Sequence, residues 1–400
     1  MACCFLFQFV NIGMASSSFA VFQPYIVELP DVGAVGGSVV LSVRTLVSLF
    51  AMFFVNAYLE KLGTRLGVAI ACLFTAAGFA FYGLGTTLPL LCVGAVLAGI
   101  GFSFGGMVGM TLLVNRWFAC RVGTAIGIAS LGNGVASVLI PLLALQLIHN
   151  VSLSAAFFAN AAIALVVAVL VFICLRDDPA EMGLRPFGAD TGKKATEQAD
   201  AQQDAGNAVS LPRFMRVLLL AAMTCIGGIC VGGMSYLSVN LTTLGYDEVF
   251  AGGMVSAAGA FLIVSKLMTG EAVDRLGPCK GSALMFSIEI VGLLLLCLTA
   301  LGSIGLAVAG SCLYGLGLAV GTVGTSVWSL GLSSAENRAK TVKNFQVCYS
   351  LGCFLFNVFP GVLAELTGSY IALYVVLLIC ALFAAIVVVC AYRRYRPELG

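Results

Sequence analysis

Gly270-Glu271-Ala272-Val273-Asp274-Arg275-Leu276-Gly277 is an acidic–basic break between two apolar runs, and its last four residues repeat Glu60-Lys61-Leu62-Gly63 from slightly more than half the chain length earlier. Two further pairs keep nearly the same period. Gly99-x-Gly101-x-x-x-Gly105 returns as Gly315-x-Gly317-x-x-x-Gly321, and Ser130-Leu131-Gly132 returns as Ser350-Leu351-Gly352. Three independent matches at one period describe a chain built twice over.

Of 400 residues, 60% are hydrophobic and 10% charged, against about 45–50% and 25% in soluble domains. That composition excludes a soluble protein. The net charge is +2 with no block of like charge, so nothing marks a nucleic-acid partner. A membrane-crossing helix needs about 20 apolar residues. Twelve candidates meet this, here called spans 1 to 12: Cys3–Val27, Gly37–Tyr58, Gly67–Leu84, Pro89–Val114, Gly123–Ile148, Leu153–Leu175, Phe214–Leu241, Val249–Gly270, Gly281–Leu301, Ile304–Leu330, Val342–Leu366 and Ser369–Tyr392. Fifteen cysteines scattered through the apolar runs lack paired ligand spacing, so neither metal nor disulfide nor cofactor is expected. The apolar run opens at Cys3 without a basic start or cleavage site, as in a retained span. The expected fold is an all-α membrane protein of twelve transmembrane helices in two pseudo-symmetric six-helix bundles. Residues 1–175 form the first bundle. Residues 176–213, rich in Asp, Gln, Ala and Lys and including Lys193 and Lys194, form a mobile linker, and 214–400 form the second bundle with a short tail.

Cytoplasmic loops retain Lys and Arg. With the N-terminus inside, the even-numbered connections and the tail hold eighteen of the twenty cations and the odd-numbered connections hold none. Both termini are therefore expected in the cytoplasm of a multi-pass cell-membrane protein. The two remaining cations, Arg44 and Lys266, lie within spans.

These residues carry a family resemblance. Gly270 to Gly277 resembles the loop signature of the major facilitator superfamily, with Asn56 to Arg65 as a degraded first copy. The run from Asn115 to Ala129, and Asp178-Pro179-Ala180-Glu181-Met182-Gly183-Leu184-Arg185-Pro186, resemble its monocarboxylate-transporter and oxalate:formate-antiporter branch. The resemblance implies the twelve-helix fold and alternating access. It also places Lys266 where the antiporter branch carries a substrate-binding Arg in span 8, followed four residues later by a Gly, here Gly270. Two positions depart from the branch: Leu351 replaces a span 11 Lys of oxalate carriers, and Leu262 replaces an Asp that often pairs with the span 8 Arg. The first counts against a dianion, the second against proton coupling by that pair.

Read from their own chemistry, an acid beside a base at a helix end can bridge to a neighbouring helix and latch one face closed. Asp274 and Arg275 are the gate candidates, with Glu60, Lys61 and Arg65 as the looser counterpart and Arg121 at the entry to span 5; the competing reading is solvated charges that set topology. An intramembrane cation is a functional candidate, so Lys266 is expected to hold a substrate anion unless it snorkels to the headgroups. Arg44 either draws an anion into the cavity, pairs across a gate, or snorkels. Glu289, a carboxylate well inside a span, is a proton-relay candidate, with a structural or lipid-edge role as its rival because the resemblance places span 9 at the periphery. Cavity polarity is expected from Asn11, Tyr25, Tyr236 and Gln346, with Gln23, Asn133, Asn240, Trp328 and Asn357 as further candidates. The motif glycines are packing residues.

Catalysis and ATP use are not expected. Gly101-Phe102-Ser103-Phe104-Gly105 has nucleophile-elbow spacing without its strand–turn–helix context, the single histidine, His149, falls in a loop, and no phosphate loop occurs. The chain therefore reads as a secondary transporter of a small organic anion, a monocarboxylate by the resemblance, acting as a monomer among membrane lipids. A carrier of neutral or amphipathic solutes in the same fold is the alternative.

Overall fold

The computed structural model describes residues 1–17, 21–22, 25–26, 29, 31–188, 211–334, 336–367 and 369–396. Gln23, Lys193, Lys194 and most of the expected linker lie outside these residues, as does the side chain of Asn357. Among the described residues nine helices are long and apolar enough to cross a membrane, and Ala2–Ala15 and Val39–Met52 are shorter apolar helices. Helices are what such a sequence must form, because hydrocarbon offers backbone N–H and C=O groups no other partner.

The period of the sequence reappears in the backbone. Span 1 begins as the α-helix Ala2–Gln8 and widens into the π-helix Phe9–Ser17; span 7 begins as Arg213–Gly228 and widens into the π-helix Ile229–Gly233, followed by Leu237–Thr243. Span 4 breaks after Leu88–Phe104 at Gly105 and resumes as Met107–Trp117. Span 10 passes from Ile304–Gly317 through the 3-10 turn Leu318–Gly321 to Val323–Gly331. The repeated acidic–basic breaks are not loops. Spans 2 and 3 join inside the helical run Val55–Leu84 at one residue, Gly63, with φ 74° and ψ 167°. Spans 8 and 9, Glu248–Leu276 and Pro278–Cys297, join at Gly277, with φ 84° and ψ 159°. Only glycine adopts this region without strain. The other spans are Gly33–Met52, Val122–Asn150, Leu153–Cys174, Arg338–Thr367 and Ile371–Tyr395.

The chain divides into two compact units: Met1–Ala119 with Ile128–Phe187, and Cys120–Gly127 with Gly188–Gly400. Inside the first, the motif glycines let backbones touch. A Cβ on Gly99 would lie 2.7 Å from the Arg44 carbonyl oxygen, and one on Gly101 would lie 2.8 Å from that of Ala71. Inside the second, a Cβ on Gly315 would collide with the Ala258 carbonyl oxygen, and one on Gly317 with the Glu289 Cβ. Equivalent glycines thus seat equivalent helices. The two tryptophans pack apart: Trp117 donates to the Arg176 carbonyl at 3.2 Å, while Trp328, buried and stacked on Phe286, donates to Ser282 at 2.6 Å.

Of the expected linker, residues 176–188 and 211–213 are described. Arg176–Phe187 is built into the first unit: Asp178 caps the 3-10 turn Pro179–Met182, Gly183 turns left-handed, and Phe187 exchanges backbone hydrogen bonds with Trp117 and Ala119. Its polar composition concealed these caps and turns, which satisfy the backbone locally.

Candidate functional site

One face of span 8 collects the two strongest sequence candidates. Lys266, Gly270 and Asp274 recur every four residues, so they share a helix stripe. That stripe lies on residues 123–127 of the same unit. A Cβ on Gly270 would meet the Gly123 carbonyl oxygen at 2.5 Å, and one on Gly127 would meet the Lys266 carbonyl oxygen at 2.5 Å. The backbones therefore form a seam with no side chain between them. At its end the Asp274 carboxylate accepts the N–H groups of Gly123 and Thr124, at 2.9 and 2.7 Å. These are free donors at the start of the helix Val122–Asn150, where partial positive charge favours an anion. Arg121, exposed and left-handed at φ 53°, precedes them. Lys266, at the seam's other end, is 1% exposed; its long side chain does not lie on the outer surface of the protein.

The counterpart charges behave differently. Arg275 pairs with Glu271 at 2.5 Å on its own helix, both side chains more than half exposed. Glu60 and Lys61 are exposed. The carboxylate at the first turn is Asp177, which accepts the N–H groups of Thr64 and Arg65 at 3.2 and 2.6 Å. Arg65 also donates to the Phe172 carbonyl at 2.7 Å and covers the Phe172 ring. Asp177, two residues beyond the expected end of span 6, is not among the candidates named from sequence; its partners lie 113 and 112 positions away.

Several polar candidates are engaged inside their units. Asn11, wholly buried, donates to the Gly105 carbonyl and to Cys72 Sγ, and accepts from Thr75 Oγ1 at 2.7 Å. Arg44 donates to the Ala15 carbonyl in the π-helix of span 1. A five-residue hydrogen-bond step leaves carbonyls off the regular ladder, and here a guanidinium takes one. In span 7 phenols do the same, Tyr314 donating to Ile229 at 2.5 Å and Tyr374 to Gly233 at 2.7 Å. Tyr25 meets His149 edge-on and Tyr236 stacks on Tyr370, so both stand near helix ends. Gln346 and Asn133 are buried. Glu289 is 2% exposed and packs against span 10 where Gly317 has no side chain: a Cβ there would run into the Cα, Cβ and Cγ of Glu289.

Gln8 was missed. It is buried, and neither side-chain amide atom has a hydrogen-bond partner among the described residues, a state shared by Asn240. An unpaired buried amide costs about 1–3 kcal/mol, which marks both as groups open to a polar solute or water. The signal was a lone amide inside Phe5-Leu6-Phe7-Gln8-Phe9.

A family model described as Major Facilitator Superfamily matches residues 4–342 and 237–400. The chain belongs to the major facilitator superfamily. Among curated relatives of this major facilitator protein, the agnestins efflux protein AgnL12 of Paecilomyces divaricatus is 26% identical over 78% of this chain and 68% of its own length. Among solved structures, the proton:xylose symporter XylE aligns with a TM-score of 0.74 at 15% identity, covering 96% of this chain and 92% of that one. The human organic anion transporter MFSD10 aligns with a TM-score of 0.74 at 13% identity, covering 97% and 98%. These likenesses carry the twelve-helix fold, and the family and its neighbours are transporters.

Proposed function

We propose that this major facilitator protein moves a small organic anion, a monocarboxylate, across the cell membrane by alternating access, with Lys266 supplying the fixed positive charge. One observation carries the reading: Lys266 is buried well inside the helix Glu248–Leu276. A buried ammonium at that depth is costly unless it meets an anion, water or polar groups, and a carboxylate entering a low-dielectric site gains from a cation waiting there. The seam strengthens the case. Lys266 and Asp274 bound one glycine-lined contact with residues 123–127, so sliding or opening that seam moves the substrate charge and the carboxylate latch together. The cation distribution supports cytoplasmic termini.

Purified protein in liposomes, screened for counterflow of labelled monocarboxylates and neutral solutes, tests this. Lys266→Gln is expected to abolish anion counterflow without preventing insertion, and Lys266→Arg to keep part of it, since charge survives while geometry changes. Normal anion transport by the Gln variant overturns the reading. Counterflow confined to neutral solutes assigns the carrier to that class instead.

A further inference from the structure

The repeat places two buried groups in corresponding positions and gives them different chemistry. In the first unit Thr75 of span 3 faces Gly101 of span 4. Its hydroxyl donates to Asn11 of span 1, whose amide reaches Gly105. Every group there is neutral and hydrogen-bonded. In the second unit, one period on, Thr75's place is taken by Glu289 of span 9, pressed against Gly317 of span 10. Asn11's place is taken by Cys230 of span 7, which abuts Gly321 and bonds to the Leu318 carbonyl at 3.5 Å. A carboxylate has replaced a hydroxyl, and a weak thiol donor has replaced the amide that served it.

An ionised carboxylate in such surroundings needs a cation or several N–H donors. Among the described residues Glu289 makes no ion pair. Among the described residues, titratable groups that interact with it electrostatically include Cys230 on span 7 and Tyr314 on span 10. Tyr349 and Cys353 of span 11 stand behind Cys230, and Tyr374 of span 12 behind Tyr314. On span 8 the charged residue at this level is Lys266; its neighbour Ser265 donates to the Leu316 carbonyl, one residue from Gly317. Thiols and phenols are also poor sodium ligands. The enclosure is built from the two irregular turns of the unit: the π-helix Ile229–Gly233 carries Cys230, and the 3-10 turn Leu318–Gly321 receives its hydrogen bond.

We propose that Glu289 is a proton-binding site, holding its proton as a neutral acid in this packed arrangement and releasing it to water when the π turn of span 7 and the 3-10 turn of span 10 separate. The step breaks the carboxyl O–H bond and forms one O–H bond on the accepting water, leaving a carboxylate and a hydronium ion with no change of oxidation state. It stands whether or not Lys266 holds an anion, and its tests need no solute.

Infrared spectra of the full-length protein in lipid vesicles should contain a protonated-carboxyl C=O band at neutral and mildly alkaline pH. The band should shift on labelling with carbon-13 glutamate and vanish in Glu289→Gln. Its absence from the wild-type protein, its appearance only when sodium is removed, or its persistence in the Gln variant overturns the proposal. The labelled wild-type spectrum requires no variant to fold. Hydrogen exchange supplies a second reading: corrected for intrinsic chemistry, exchange of Ile229–Gly233 and Leu318–Gly321 should accelerate severalfold with rising pH in the wild type and stay flat in Glu289→Gln. Identical profiles overturn the link between proton release and opening.

Discussion

Gly63 turns at φ 74° and ψ 167° and Gly277 at φ 84° and ψ 159°, yet the two turns end in different chemistry. The helix after Gly63 presents the N–H groups of Thr64 and Arg65, and Asp177 accepts both. The helix after Gly277 starts with Pro278, which has no N–H to satisfy and suits a first helical turn. The acid preceding that turn, Asp274, spends its oxygens on Gly123 and Thr124 instead. Duplication preserved the backbone, while capping was reassigned residue by residue, so equivalence of position is a poor guide to equivalence of role. In the first unit the carboxylate holds a turn; in the second it ties span 8 to the start of another helix.

The largest expected effect separates the turns themselves. Both Gly63→Ala and Gly277→Ala incur the strain of a glycine-only backbone, about 1–3 kcal/mol. At Gly63 the new Cβ also lies 2.6 Å from Asp177 Oδ2. Thermal unfolding in detergent should show the greater loss for Gly63→Ala; equal losses would mean that Asp177 yields freely. Next come the carboxylates. Asp177→Asn should cost about 1.5–3 kcal/mol of stability, the worth of hydrogen bonds to a charged group, with turnover per folded molecule unchanged. Asp274→Asn should slow turnover more than it weakens binding or stability, because a cap between moving helices acts on exchange of states. The reverse pattern would transfer the latch to Asp177. A double variant sharpens this: Thr64→Pro imports the Pro278 arrangement and removes one donor, so with it in place Asp177→Asn should cost less, read as a coupling in a double-mutant cycle. The smallest effect is at Arg275→Ala. Its exposed pair with Glu271 is worth about 0.2–0.5 kcal/mol, and a melting shift larger than that scale allows would reveal a partner on another helix.

Much of the architecture was legible because lipid enforces it: apolar length gives spans, and glycine at a fixed period gives breaks and close crossings. The π segments were not legible, since no residue type encodes a five-residue hydrogen-bond step, and the partner of Arg44 followed from that hidden geometry. Asp177 reaches Arg65 across 112 positions, a contact no local pattern signals. An apolar helix gives no contrast by which to read its inner face, so the sequence left Glu289 between a proton-relay role and a structural or lipid-edge one; its burial against Gly317 came only from the packing.

The placement of the two tryptophans makes the molecule its own optical instrument. Trp117 belongs to the first unit and is only partly enclosed, while Trp328 belongs to the second, sealed against Phe286 and hydrogen-bonded to Ser282. Their emission should differ in colour, the sealed indole to the blue, and in susceptibility to a water-soluble quencher. Replacing either by Phe leaves a single-colour reporter of one unit, so the two repeats can be watched separately in the same bilayer without an added dye.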